Sequence, residues 1–198
     1  MQSRMHPYLN WAKERLDEMD AALASLEAKL GGVQTDARVK ANQMLTSLRE
    51  KRQHFQETIR RQAETGEAAW GSAKAKLESD WSAFEAQAKQ YVELFARQAE
   101  QQHETFRLQA DAQLKSWRAA ADRLNSDAKE FAAERRSEVE ATVRRMNADA
   151  TEAEEKLRML HEAGAQSWSA MMAALTETRA AFDRANQAAA EAFKRAAQ

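Results

Sequence analysis

Residues 81–124 read WSAFEAQAKQYVELFARQAEQQHETFRLQADAQLKSWRAAADRL. Within them Phe84, Phe95, Phe106 and Trp117 fall every eleven residues. Four residues after each ring stands a small one: Ala88, Ala99, Ala110 and Ala121. A third track runs in phase through Trp81, Val92, His103 and Leu114. Eleven residues fill three helical turns at about 3.67 residues per turn, so all three tracks share one face. A regular apolar stripe of this kind buries itself against other helices.

The stripe extends in both directions. Upstream it passes through Ala37, Ala41, Met44, Leu48, Phe55, Ile59, Ala63, Trp70 and Leu77. Downstream it continues through Leu124, Ala128, Phe131, Val139, Val143, Met146, Ala150, Leu157, Trp168, Met172, Leu175, Phe182 and Phe193. Breaks are conceivable near Gly66–Gly71, at Asn125 and at Gly164. Phe106, Trp117, Ala128, Val139 and Ala150 keep the eleven-residue step across Asn125, which reads as continuous helix. The glycines weaken a helix by about 1 kcal/mol each without necessarily ending it. A continuous helix over 36–198 would be about 240 Å long; the rival is a compact bundle bent near Gly66–Gly71 and near Asn125.

Ahead of it lies a shorter helix. Pro7 suits a first helical turn. Leu9, Leu16, Leu23 and Leu30 then recur every seven residues, with Ala12, Met19 and Leu26 between them. Gly31-Gly32 stops this seam, since glycine tolerates the left-handed conformation of helix ends. Thr35 or Asp36 can cap the next helix. The reading is an all-α, elongated coiled coil. Residues 1–32 form a heptad helix and turn, folded back as an αα-hairpin onto one very long helix over 33–198. Leu16, Leu23 and Leu26 are expected to face Met44, Leu48 and Phe55.

A single long helix cannot bury its own stripe. The expected partner is a second copy, in an antiparallel homodimer that sets rings opposite alanines at native packing density. Its interface would use Leu77, Trp81, Phe84, Ala88, Phe95, Ala99, Phe106, Ala110, Leu114, Trp117, Ala121 and Leu124.

Composition agrees with helix. The 198 residues hold one proline, five glycines, five valines and one isoleucine. Strands need more β-branched residues in alternation. Charged residues make up 31%, and mean hydropathy is -0.78. That suits a narrow stripe on long helices rather than a wide core. The net charge of -1 mixes both signs, and the mildly basic span 36–76 reads as a solvated face, so nucleic acid is not an expected partner. With no cysteine, disulfides and thiolate metal sites are excluded. No stretch approaches the ~20 apolar residues of a membrane span, and the first residues lack a signal-peptide core, so a cytoplasmic protein is expected.

Catalytic signatures are sparse. Glu100 and His103 have the E-x-x-H spacing of di-iron bundles, but a second such pair is missing because Arg158 precedes His161 by three. Neither a nucleophile elbow nor a phosphate loop occurs. No cofactor and no metal are expected, and the chain reads as a non-enzymatic scaffold. A second reading rests on texture. The eleven-residue amphipathic repeat resembles that of exchangeable apolipoproteins, and the Ala-rich Met171–Gln198 is similar to phasins. Either resemblance implies an amphipathic coat on a lipid or polymer-granule surface, with Trp and Phe as interfacial anchors.

Overall fold

The computed structural model describes residues 7–65, 67–96, 99–131, 133–163 and 167–196. Among them the chain is helical, without strands. Helix α1 is Pro7–Lys29, followed by a 3-10 turn at Leu30–Gly32. Then come α2 Thr35–Thr65, α3 Glu67–Phe95, α4 Ala99–Ala128, α5 Ala133–Glu162 and α6 Trp168–Ala196.

The single long helix over 33–198 is therefore replaced by five helices of 29 to 31 residues. The reason is visible after Ala128, where the stripe kept its phase. There Lys129, Glu130 and Phe131 donate to the carbonyls three residues back, Ser126, Asp127 and Ala128, at 3.1–3.2 Å. Such tightened bonds end an α-helix. Ala128 and Val139 are both buried, one on each side of the turn. Two helices joined by a short turn must each aim an apolar residue inward near the joint, and an eleven-residue spacing satisfies that as well as a straight helix does. Gly66 and Gly164 lie outside the described residues, whereas Gly71 sits within α3. At the first turn, Leu30–Gly32 closes as 3-10 helix, and neither Gly31 nor Gly32 adopts the left-handed backbone.

The helices divide into two compact units, Arg15–Gln109 and residues 7–14 with 110–196. In the first, α1 and α2 run antiparallel, tied by Arg52–Asp20 (2.6 Å) and Arg49–Glu27 (2.7 Å). Helix α3 returns antiparallel to α2, with Ser47 bonded to Gln87 (3.2 Å) and His54 to Lys76 (2.6 Å). The start of α4 lies antiparallel to α1, where the Ser25 and Thr105 hydroxyls meet at 2.7 Å and Lys29 pairs with Glu104. Met19, Leu26, Leu45, Leu48, Phe55, Leu77, Phe84, Tyr91 and Phe106 fill the core.

The second unit follows the same plan. Helices α5 and α6 are antiparallel, tied by Arg195–Glu138 (2.7 Å) and Lys156–Glu177 (2.6 Å). Helix α4 lies beside both, through Arg118–Glu154 and through Trp117, whose ring meets Phe182 edge-on at 5.4 Å. The first turns of α1 complete the unit, with Asn10 bonded to Asn186 at 3.0 Å.

The shared plan has a sequence basis. A shift of 98 residues superimposes Leu16 on Leu114, Leu26 on Leu124, Arg38 on Arg136 and Trp70 on Trp168. It also superimposes Leu77 on Leu175, Phe84 on Phe182 and Phe95 on Phe193. The geometry repeats with it. Arg38 donates to the carbonyls of Gly31 and Val33 at 3.3 Å. Arg136 donates to those of Lys129 and Phe131 at 3.0 Å, the same seven- and five-residue reach. The chain is a tandem of two three-helix repeats, α1–α3 and α4–α6.

Candidate functional site

The eleven-residue stripe is the first place to look for function. Leu77, Trp81, Phe84 and Ala88 lie on α3, and Phe106, Ala110, Leu114, Trp117, Ala121 and Leu124 on α4. All ten are buried within the single chain. Phe95 is half-buried, with its ring 5.2 Å from that of Tyr91, and Ala99 opens α4. Among the hairpin residues, Leu23, Leu26, Leu48 and Phe55 are buried, and Leu16 and Met44 are half-buried. Each ring thus already has neighbours from its own chain. Among the described residues the large apolar side chains left open are Val39, Leu94 and Met159, at 67%, 37% and 58% exposure.

The outer surface is charged and paired. Arg158 is bracketed by Glu155 and Glu162 at 2.6 Å, which pushes its guanidinium up and, through the same hydrogen bond, holds the Glu155 carboxyl below the usual range. Such exposed pairs contribute little stability each. Burial pushes the Asp127 carboxyl up, helped by Glu130 and opposed by Arg123. Burial also raises the Tyr91 phenol, whose hydroxyl donates to the Leu26 carbonyl at 3.5 Å.

Two features bear on chemistry. His103 is half-buried and Glu100 exposed, and no group of three His, Asp or Glu placed to hold a metal occurs among the described residues. A shallow groove of about 370 Å³ runs beside α4, lined by Asp111, Lys115, Arg118, Asp122 and Glu154. The Arg118–Glu154 ion pair occupies part of this lining. The groove offers both charge signs. Among the described residues no helix is long and apolar enough to cross a membrane.

The unexpected feature is polar and buried. Asn10, Glu14, Arg15, Glu18, Ser25, Gln109, Gln113, Ser116, Thr178, Arg179 and Asn186 each show 5% exposure or less. In the first unit the Arg15 guanidinium lies 5.5 Å from the centre of the Trp81 ring, a cation–π contact. In the second, Gln113 donates to the Leu175 carbonyl at 3.2 Å and accepts from the Thr178 hydroxyl. Asn10 donates to Asn186 and accepts from Arg123, both at 3.0 Å. Polar groups at inward positions must be bonded, or their burial costs about 1–3 kcal/mol each. They were not legible as a set, because the stripe tracks apolar residues. The 98-residue repeat was the available signal: at this layer it aligns Asn10 with Leu108 and Asn186 with Ala88.

No family model, curated protein or solved structure matches the chain.

Proposed function

We propose that the protein is a non-enzymatic structural scaffold, a helical spacer complete in one chain. It acts through its charged outer surface on protein partners. One observation carries this reading: the aromatic–alanine stripe is already packed against helices of the same chain. The surface pairing expected between two copies then has a counterpart inside one, between α1 and the start of α4. What remains outside is dense in Lys, Arg, Asp and Glu, with isolated apolar side chains at Val39, Leu94 and Met159. Solvated faces of this kind suit specific, salt-sensitive contacts with other proteins.

The competing role is an amphipathic coat. It needs the hairpins to open and turn Trp117, Phe106 and Phe182 toward a lipid or polymer surface. Opening forfeits burial worth about 25 cal/mol per Å² unless the surface returns it. Flotation with phosphatidylcholine/phosphatidylglycerol vesicles and with hydrophobic polyester beads separates the two. The scaffold stays in the dense fraction with its tryptophan emission unchanged. Co-flotation, with emission altered as the rings move from protein core to lipid, overturns the scaffold reading in favour of the coat.

A further inference from the structure

The repeats are not self-contained. The first unit is α1 from Arg15, α2 and α3, completed by residues 99–109 of the second repeat. The second unit is the rest of α4, α5 and α6, completed by residues 7–14 of the first repeat. Each repeat therefore lends the first turns of its leading helix to the other. Two repeats with cores built alike can also pair like with like. Two copies of the chain could then join first repeat to first and second to second as a closed pair, and larger multimers could form where each repeat of a chain takes a different copy.

We propose that the cluster of buried Asn10 and Asn186 with half-buried Arg123 prevents this, by committing the leading helix of the first repeat to the second repeat. The 98-residue shift puts different residues at the same positions of the other unit. There Leu108 stands for Asn10, Ser25 for Arg123 and Ala88 for Asn186. Ser25 and Ala88 are buried, and Ser25 finds its partner in Thr105. At these positions the first unit thus has a leucine, an alanine and a serine bonded to Thr105. The other has an amide that bonds a second amide and a guanidinium, both at 3.0 Å.

The two layers are not interchangeable. If a second repeat received the leading helix of another second repeat, Leu108 would face Arg123 and Asn186. The half-buried Arg123 would lose an acceptor and the buried Asn186 a donor, and for the buried amide a lost partner is costly. If a first repeat received another first repeat, Asn10 would face Ser25 and Ala88 and lose both of its bonds. Only first-with-second pairing satisfies the cluster. A short link between the repeats, at 96–98, gives pairing within one chain a high effective concentration. Single buried polar residues that fix register and partner in coiled coils work on the same principle. The inference rests on the repeat architecture and stands apart from the scaffold reading.

The test uses the full chain. Asn10→Leu strips Arg123 and Asn186 of their shared partner. The triple variant Asn10→Leu/Arg123→Ser/Asn186→Ala instead gives the second unit the layer of the first. Each protein is unfolded in urea, refolded at high concentration, and sized by light scattering during gel filtration. The wild type should return as one species. Asn10→Leu should unfold at lower urea than the wild type, and the triple variant should recover most of that loss. The triple variant should also show about a tenfold or greater rise in its multimer share, as expected when a penalty of more than about 1.4 kcal/mol on like pairing is removed. If the triple variant recovers stability yet refolds to the wild-type species alone, the cluster is only a satisfied core contact and the proposal fails. It fails equally if Asn10→Leu is as stable as the wild type. Should Asn10→Leu not fold, the multimer share of the triple variant decides.

Discussion

Truncating Phe182 to alanine tests whether the second unit is held by the packing of α6 on α4. Phe182 is fully buried and meets the Trp117 ring edge-on at 5.4 Å and 61°. Removing a buried ring costs about 3–5 kcal/mol, through lost transfer energy and the cavity left behind. About 0.5–1.5 kcal/mol of this belongs to the ring pair itself. With a urea dependence of about 2–3 kcal/mol per molar, the midpoint should fall by about 1–2 M. Phe182→Leu keeps most of the apolar volume, so its loss should be well under half of that. Unfolding is followed by far-ultraviolet circular dichroism and by tryptophan fluorescence, which senses the ring beside the deletion. Met159→Ala serves as the reference, because at 58% exposure it should change stability by no more than about 0.5 kcal/mol. A Phe182→Ala midpoint indistinguishable from that of Met159→Ala would mean that α6 does not pack on α4 as described, and the reasoning from the buried stripe would fall with it.

Gly71 lies in α3 with open space where a Cβ would go, so Gly71→Ala should raise stability by about 0.5–1 kcal/mol in a melt. Arg136→Met removes the donor to the Lys129 and Phe131 carbonyls and should cost about 1–2 kcal/mol; Arg38→Met should cost less, its bonds being 3.3 Å against 3.0 Å. Burial holds the Asp127 carboxyl above its ordinary value, so its contribution is present below about pH 4 and lost as pH rises through the elevated value. Asp127→Asn should therefore be more stable than the wild type at pH 7, with the gain vanishing at pH 3 in parallel urea titrations.

Much of this architecture is written locally. Pro7 and Gly31-Gly32 mark the ends that α1 adopts, and Asp36 bonds the Ala37 amide at 3.0 Å in the first turn of α2. The inward residues of α3 and α4 follow from their spacing. The turns are harder. After Ala128 there is neither glycine nor proline, and the helix stops because Phe131 docks on Phe193 at 5.5 Å while Arg136 gathers the loose carbonyls. Phe193 lies 62 residues away and Arg136 falls off the apolar stripe, so periodicity alone passes through. The partner of the stripe was also out of reach. A stripe states that something covers it, and whether that is a second copy or a later stretch of the same chain depends on where the turns fall. The buried polar layer needed a comparison of Asn10 with Leu108 across 98 residues, at positions where most neighbours differ.

The exchange of leading helices also sets an order of events during synthesis. Asn10 can meet Arg123 once α4 is made but finds Asn186 only 176 residues later, so the beginning of the chain lacks part of its final neighbourhood until α6 has been made. A contact of such span is among the slowest to form. While the ribosome is adding α5, the first unit already has residues 15–109 and can close, whereas residues 7–14 still lack α6. For that interval the leading helix of the nascent protein lacks the amide partner that holds it in the finished fold.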